Sequence, residues 1–256
     1  VAAIKGKTTR GPAPAPRDEE IEIPPEIANR DNFTLCIDIM YVWGLAFLSG
    51  VDTTIKFKTA TYLETKTKEQ LYGGLDDILR YYIKADYRIK WINCDNEFQK
   101  IMDEVADEME VTMNYANPGD HVPPIDRAQR TIKERIRSVV NGLPFKTMPK
   151  AMIRRLVSYC VRQLNMFPLK SGVSKFLSPH TIMSGRVVDY NTDLKFPFGT
   201  YVQAPKEADK YSSPEPRTVD AICLGPNTNK QGGLYLLALP TGKLIKRAIT
   251  KRIKEL

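Results

Sequence analysis

The run Phe33-Thr34-Leu35-Cys36-Ile37-Asp38-Ile39-Met40-Tyr41-Val42 is apolar at almost every position, which predicts a strand with apolar neighbours on both faces. Strand-like runs at 45–53 and 55–64 follow short breaks at Gly44 and at Asp52-Thr53-Thr54. Breaks that short make consecutive antiparallel pairing the simplest topology. Leu71, Leu75, Ile78, Leu79 and Tyr82 then recur at helical spacing and predict a helix over 68–84. A strand (87–94), an acidic helix (97–109), a short strand (111–115) and a Pro- and Gly-containing loop through 117–124 come next. The long helix starting at Ile125 has Ile125, Ile132, Ile136, Val139 and Leu143 on a core-facing stripe. Asp126, Arg130, Lys133 and Arg137 form a polar stripe beside it. A second amphipathic helix covers 152–167. This order predicts an α/β layer fold, a mixed five-stranded sheet with flanking helices.

From about residue 195 the texture changes. Short alternating runs at 200–204, 219–224, 233–239 and 244–249 are separated by Pro, Gly and Asn, which predicts a small all-β barrel. Residues 1–30 are rich in Pro, Ala and charge and read as an extended linker. The expected organisation is therefore a linker at 1–30, an α/β core domain at 31–168, a connector at 169–194 and the β-barrel domain at 195–256.

Asp38 is the residue that breaks the pattern. A charge inside an apolar strand needs a partner or a metal. Asp95 ends a second apolar run, and Asp126 opens the basic helix. If the first and fourth strands lie side by side, Asp38 and Asp95 approach each other, and Asp126 completes a cluster that can hold two divalent metal ions. Such a pair of ions, about 3.5–4 Å apart, bridges the attacking and leaving oxygens in phosphoryl transfer. Mg²⁺ prefers oxygen ligands and keeps several waters, so a few carboxylates are enough. Each acid also has a plainer reading. Asp95 suits a helix cap, and Asp126 suits a first-turn helix charge.

Charge extends this picture. The chain carries a formal +8, with ten Lys and Arg against one acid between Arg127 and Arg162. Six more basic residues lie between Lys243 and Lys254. Basic surface beside carboxylates points to a polyanion partner, with Arg130, Lys133, Arg137, Lys246 and Arg247 as candidate DNA contacts. Solubility alone, or a solvated helix face, is the alternative. The four scattered cysteines and two histidines lack zinc-site spacing and predict reduced, buried thiols. No apolar run is long enough to span a membrane.

Several segments taken in order resemble the integrases of Copia-type LTR retrotransposons, within the retroviral-type integrase superfamily. They are Asp38-Ile39-Met40-Tyr41-Val42-Trp43-Gly44, Ile92-Asn93-Cys94-Asp95-Asn96-Glu97-Phe98, and His121-Val122-Pro123-Pro124-Ile125-Asp126-Arg127-Ala128-Gln129-Arg130-Thr131. Leu177-Ser178-Pro179-His180-Thr181, Phe198-Gly199-Thr200-Tyr201-Val202 and Gln231-Gly232-Gly233-Leu234-Tyr235 continue the likeness to about residue 250. The resemblance implies an RNase H-like core with an Asp-Asp-Glu triad holding two Mg²⁺ (or Mn²⁺) ions. It implies 3′-end processing and strand transfer on double-stranded DNA, both element ends and target. A homo-oligomer on DNA is expected, with no membrane association, in the nucleus of a eukaryotic host after a cytoplasmic particle stage. Asp38 and Asp95 fall on the first two triad positions. Asp126 falls where the family has Glu, one methylene longer, and the family's His-His-Cys-Cys zinc module has no counterpart here. The chain is therefore expected to be a fragment, or to have lost that module. Two other functions stay open: a catalytically impaired integrase-like DNA-binding protein, and an RNase H-type nuclease that cuts without joining.

Overall fold

In the computed structural model, residues 24–99, 102, 108–117, 120–206, 214–227 and 233–248 are described. Most of the predicted acidic helix at 97–109, most of the predicted linker and the basic end of the tail lie outside them. The described residues fall into two units, one of 24–141 with 160–188, the other of 142–159 with 189–248.

The first unit is built on five strands: β1 (Phe33–Val42), β2 (Leu45–Asp52), β3 (Lys58–Leu63), β4 (Ile89–Cys94) and β5 (Thr112–Tyr115). Their order across the sheet is β3-β2-β1-β4-β5, with β1 to β3 antiparallel and β4 and β5 parallel to β1. The β1–β2 hairpin closes through Trp43 and Gly44, both at positive φ (46° and 76°), the geometry of the tightest hairpin turns. Helix α1 (Lys68–Lys84) buries Leu71, Leu75, Ile78, Leu79 and Tyr82, the five residues its spacing picks out. They join Leu35, Ile37, Leu48, Ile92 and Phe98 in the main core. Ile27, from a short 3₁₀ turn at Pro25–Ile27 within the segment expected to be linker, is fully buried in the same core.

Strand β3 starts three residues later than its apolar run. The cause is Asp52, only 1% exposed. Its Oδ1 accepts from the backbone N–H groups of Thr54 (2.9 Å), Ile55 (2.5 Å) and Lys56 (3.1 Å). Its Oδ2 accepts from Phe57 N (2.8 Å) and from the hydroxyl of buried Tyr82 (3.2 Å). The carboxylate gathers 53–57 into a loop and bends Lys56 to φ 62°. Burial raises the Asp52 carboxyl above its ordinary value, and the four N–H donors work against that rise.

Edge strand β3 is covered on its outer side at its first residue, Lys58. Asn165, buried at the end of α3 (Lys150–Asn165), accepts from Lys58 N at 2.9 Å and donates to Lys58 O at 2.7 Å. One side-chain amide thus replaces a neighbouring strand, a common way of blunting a sheet edge.

The second unit holds the short helices' end of the chain: α5 (Tyr190–Asp193), β6 (Tyr201–Pro205), β7 (Thr218–Pro226), β8 (Gly233–Ala238) and β9 (Leu244–Ala248). Helix α4 (Pro179–Ser184), capped by the Ser178 side chain on Thr181 N, belongs to the first unit. The four strands form an antiparallel sheet in sequence order. Val202, Ala204, Ala221, Cys223, Leu234 and Leu236 pack on its inner face with Phe196. Arg247 Nε donates to Pro205 O at 3.1 Å, linking the two edge strands through a side chain. Where the sequence predicts a barrel, the described residues form an open four-stranded sheet with no backbone ladder between β6 and β9.

All four cysteines are buried with free thiols. Burial pushes Cys160 up to about 12 and Cys223 up to about 11. The folded chain is therefore expected to resist alkylation at pH 8, whereas four thiols react after unfolding in guanidinium, as mass spectrometry of the labelled chain can count. Above pH 9 these two thiols ionise in the unfolded chain but not in the folded one, so stability should fall as pH rises. Rapid native labelling of Cys160 or Cys223 would contradict their packing.

Candidate active site

Asp38 lies in the middle of β1, level with Ser49 of β2. Its Oδ1 accepts from Ile39 N at 2.6 Å, and Ser49 Oγ donates to its main-chain oxygen at 2.7 Å. Helix α2 (Pro123–Asn141) packs on this face of the sheet through Val122, Ile125 and Ala128 against Cys36 and Val51. Gln129, 8% exposed on the helix's buried stripe, donates from Nε2 to Asp38 Oδ2 at 2.7 Å and to Ser49 Oγ at 3.0 Å. One amide thus orients a half-buried carboxylate and satisfies the hydroxyl beside it, as buried polar groups require.

Asp95 follows directly on β4. The parallel register pairs Cys36 with Asn93. The pairing ends at that pair, and Asp38 and Asp95 each lie two residues beyond it along their own chain segments. Asp95 occupies the N-cap position of the 3₁₀ turn Asn96–Phe98, but its side chain makes no capping hydrogen bond. The plainer reading of Asp95 as a helix cap is therefore not realised.

Asp126 is exposed in the first turn of α2, one turn before Gln129. Among the described residues, no three His, Cys, Asp or Glu side chains are gathered closely enough to hold one metal ion. The structure pairs Asp38 with Gln129 and Ser49, places Asp95 directly after β4, and leaves Asp126 exposed at the start of α2. Carboxylate oxygens of this kind suit Mg²⁺, which is commonly held by one or two carboxylates together with substrate phosphate.

Arg130 and Arg137 are exposed on α2, and Lys133 is half-buried. In the second unit, Lys246 Nζ lies 5.4 Å from the Tyr235 ring, and Arg155 Cζ lies 3.7 Å from the same ring. Arg247 is turned to the backbone: besides Pro205 O, its Nη1 donates to Lys246 O at 2.8 Å. Gln129 is the functional residue that composition and charge miss. Its signal is nonetheless present in the sequence, because a glutamine sits at a core position in the stripe Ile125, Gln129, Ile132, Ile136.

No protein-family model and no curated protein matches the chain. Among solved structures it is similar to the catalytic core domain of BIV integrase, at 15% identity and a TM-score of 0.44, over 59% of this chain and 92% of that one. It is also similar to the HTLV-2 integrase catalytic core domain in complex with magnesium. The dimeric form gives 16% identity and a TM-score of 0.45, over 59% of this chain and 96% of that one. The trimeric form gives 15% and 0.46, over 60% and 98%.

Proposed function

We propose that this chain is an integrase of the Copia-type retrotransposon class, with an RNase H-like core, joining element DNA ends to target DNA by metal-dependent phosphoryl transfer. The observation that carries the reading is Asp38 within β1, held by Gln129 of α2, with Asp95 directly after the neighbouring parallel strand β4. Asp38 and Asp95 would hold Mg²⁺ or Mn²⁺, which when bound neutralises charge on the attacked phosphate and activates the hydroxyl. In strand transfer the oxygen of a DNA 3′-hydroxyl forms a bond to phosphorus, and the target strand's P–O bond breaks. Gln129 keeps Asp38 Oδ2 oriented toward this centre. Arg130, Lys133, Arg137 and Lys246 approach phosphates, while Arg247 acts with part of its guanidinium already on the backbone. Assembly as a homo-oligomer on double-stranded DNA, and work in the nucleus after a cytoplasmic stage, belong to the same proposal. Among the described residues no helix is long and apolar enough to cross a membrane.

The exposed position of Asp126 favours a second reading, an integrase-like DNA-binding protein with reduced catalysis. Strand-transfer assays with a labelled DNA end in Mg²⁺ and Mn²⁺ separate the readings. Joined products support the integrase, cut but unjoined DNA supports an RNase H-type nuclease, and binding without either supports the impaired protein.

Binding itself should be strongly salt-dependent. Five phosphate contacts by the named basic residues give a slope of about −4.5 in log affinity against log salt. A flat plot in fluorescence anisotropy would remove these residues from the DNA interface.

A further inference from the structure

Trp91 lies in β4, an interior strand between β1 and β5, yet it is 42% exposed. Tryptophan carries one of the largest apolar surfaces of any side chain, and an interior strand is where that surface is normally covered. The reason is visible in the two faces of β4 and β5. Ile92, Cys94, Met113 and Tyr115 point into or against the main core. The opposite face carries Trp91 and Asn93 on β4, register-paired with Thr112 and Asn114 on β5. Helix α2 packs over β1 and β2 on that side, through the Cys36–Val51 cluster. Thr112 and Asn114 are exposed.

This strip has an ordered chemistry. Asn114 Nδ2 donates to Asn93 Oδ1 at 3.0 Å, and Asn93 Nδ2 reaches toward Cys36 Sγ at 3.9 Å. Asn93 is thereby held flat against the sheet, with the Asn114 amide at its exposed end. At the other end the β1–β4 pairing shifts register: Phe33 pairs with Ile89 and Thr34 with Trp91, so Lys90 is an extra, exposed residue. Bulges of this kind redirect side chains and are frequent beside active sites. Trp91, Asn93 and Asn114 share one face of β4 and β5, and the exposed Lys90 sits at the bulge next to Trp91. Asp95 stands at the end of the strip, four residues or about 13 Å along the chain from Trp91 at 3.3 Å per residue.

We propose that this strip binds an unpaired DNA strand leading to the carboxylates, with Trp91 stacking on a base, Lys90 meeting a phosphate and Asn114 bonding a base edge. The occupant follows from the groups present. Stacking on an exposed aromatic needs a free base face, which an intact duplex does not offer, and a cation flanking it matches the phosphate backbone. Amides pair with base edges, which apolar protein surfaces lack. The proposal rests on the integrase reading of the carboxylate site, and it adds a path by which an already unpaired strand reaches that site.

The chain has two tryptophans, Trp43 and Trp91. In the full chain carrying Trp43→Phe, Trp91 is the sole tryptophan reporter. Titration with a dye-labelled oligo-dT, a duplex with an unpaired 3′ end and a blunt duplex gives binding by anisotropy and stacking by tryptophan emission. Quenching of Trp91 is expected with the two unpaired substrates. Trp91→Ala should weaken them by about 5- to 100-fold while leaving the blunt duplex within twofold. Trp91→Phe, which keeps a stacking face, should recover most of the loss, and equal melting temperatures will show that the variants fold. DNA that binds without quenching Trp91, or a Trp91→Ala loss equal for all three substrates, would overturn the strip while leaving the DNA-binding function intact. No binding of any DNA at low salt would overturn both.

Discussion

Replacing Asp52 with alanine is expected to cost about 2–6 kcal/mol of folding stability, as much as emptying a buried core position. The estimate comes from the two donors that stay buried, Ile55 N and Phe57 N, at roughly 1–3 kcal/mol for each orphaned group. Alanine also strands the buried Tyr82 hydroxyl, which retains only a longer contact to Phe57 O at 3.4 Å. Asp52→Asn should do less harm. An amide oxygen in the Oδ1 position keeps the Thr54, Ile55 and Lys56 bonds, but its NH₂ then faces the N–H of Phe57. Urea denaturation of the three proteins would show the order native, Asn, Ala. Equal stability of the alanine variant would mean the 53–57 loop is held by something other than this carboxylate.

Asp126→Glu is expected to raise strand transfer, on the order of 10²-fold, the penalty associated with a 1 Å misplacement of a catalytic group. The exposed Asp126 stands one turn from Gln129, whose amide reaches Asp38, so a longer carboxylate on the adjoining polar stripe gains reach toward Asp38. Asp38→Asn removes the negative charge nearest the proposed metal while leaving an oxygen for Gln129, and should abolish joining in both backgrounds. Labelled-end assays in Mg²⁺ and Mn²⁺ read both variants together. If Asp126→Glu changes nothing while the native chain joins DNA, the helix position is not a ligand. If only Asp126→Glu joins, the scaffold is sound and the shorter side chain limits it.

Much of the first unit could be read directly because its signals are local. The double-sided apolar run of β1, the 71-75-78-79-82 spacing of α1 and the basic helix after His121 each stand within one stretch of chain. The residues that escaped notice act over distance. Asp52 in Asp-Thr-Thr looks like an ordinary turn, and only the folded chain shows four backbone amides converging on it. Asn165 reads as the last residue of an amphipathic helix, and its role depends on Lys58. The site was half legible: Asp38 was conspicuous as a charge in an apolar strand, but its partner Gln129 had to be recognised as polar within an apolar stripe. The second sheet illustrates a different limit. Strand spacing predicts how many strands there are, whereas closure depends on how far the sheet curls, and here the edges meet through Arg247 rather than through a ladder.

The Asn165 seal on β3 also carries a consequence for the order in which the chain becomes safe. The amide and the strand it protects are 107 residues apart. During synthesis β3 emerges long before its cover, so its outer N–H and C=O at Lys58 remain available to any other strand until α3 has formed. Pairing across such a separation forms late in folding, after local contacts. Nascent or truncated chains ending before residue 165 should therefore self-associate through β3, even with α1 and the first hairpin in place. The completed chain should not.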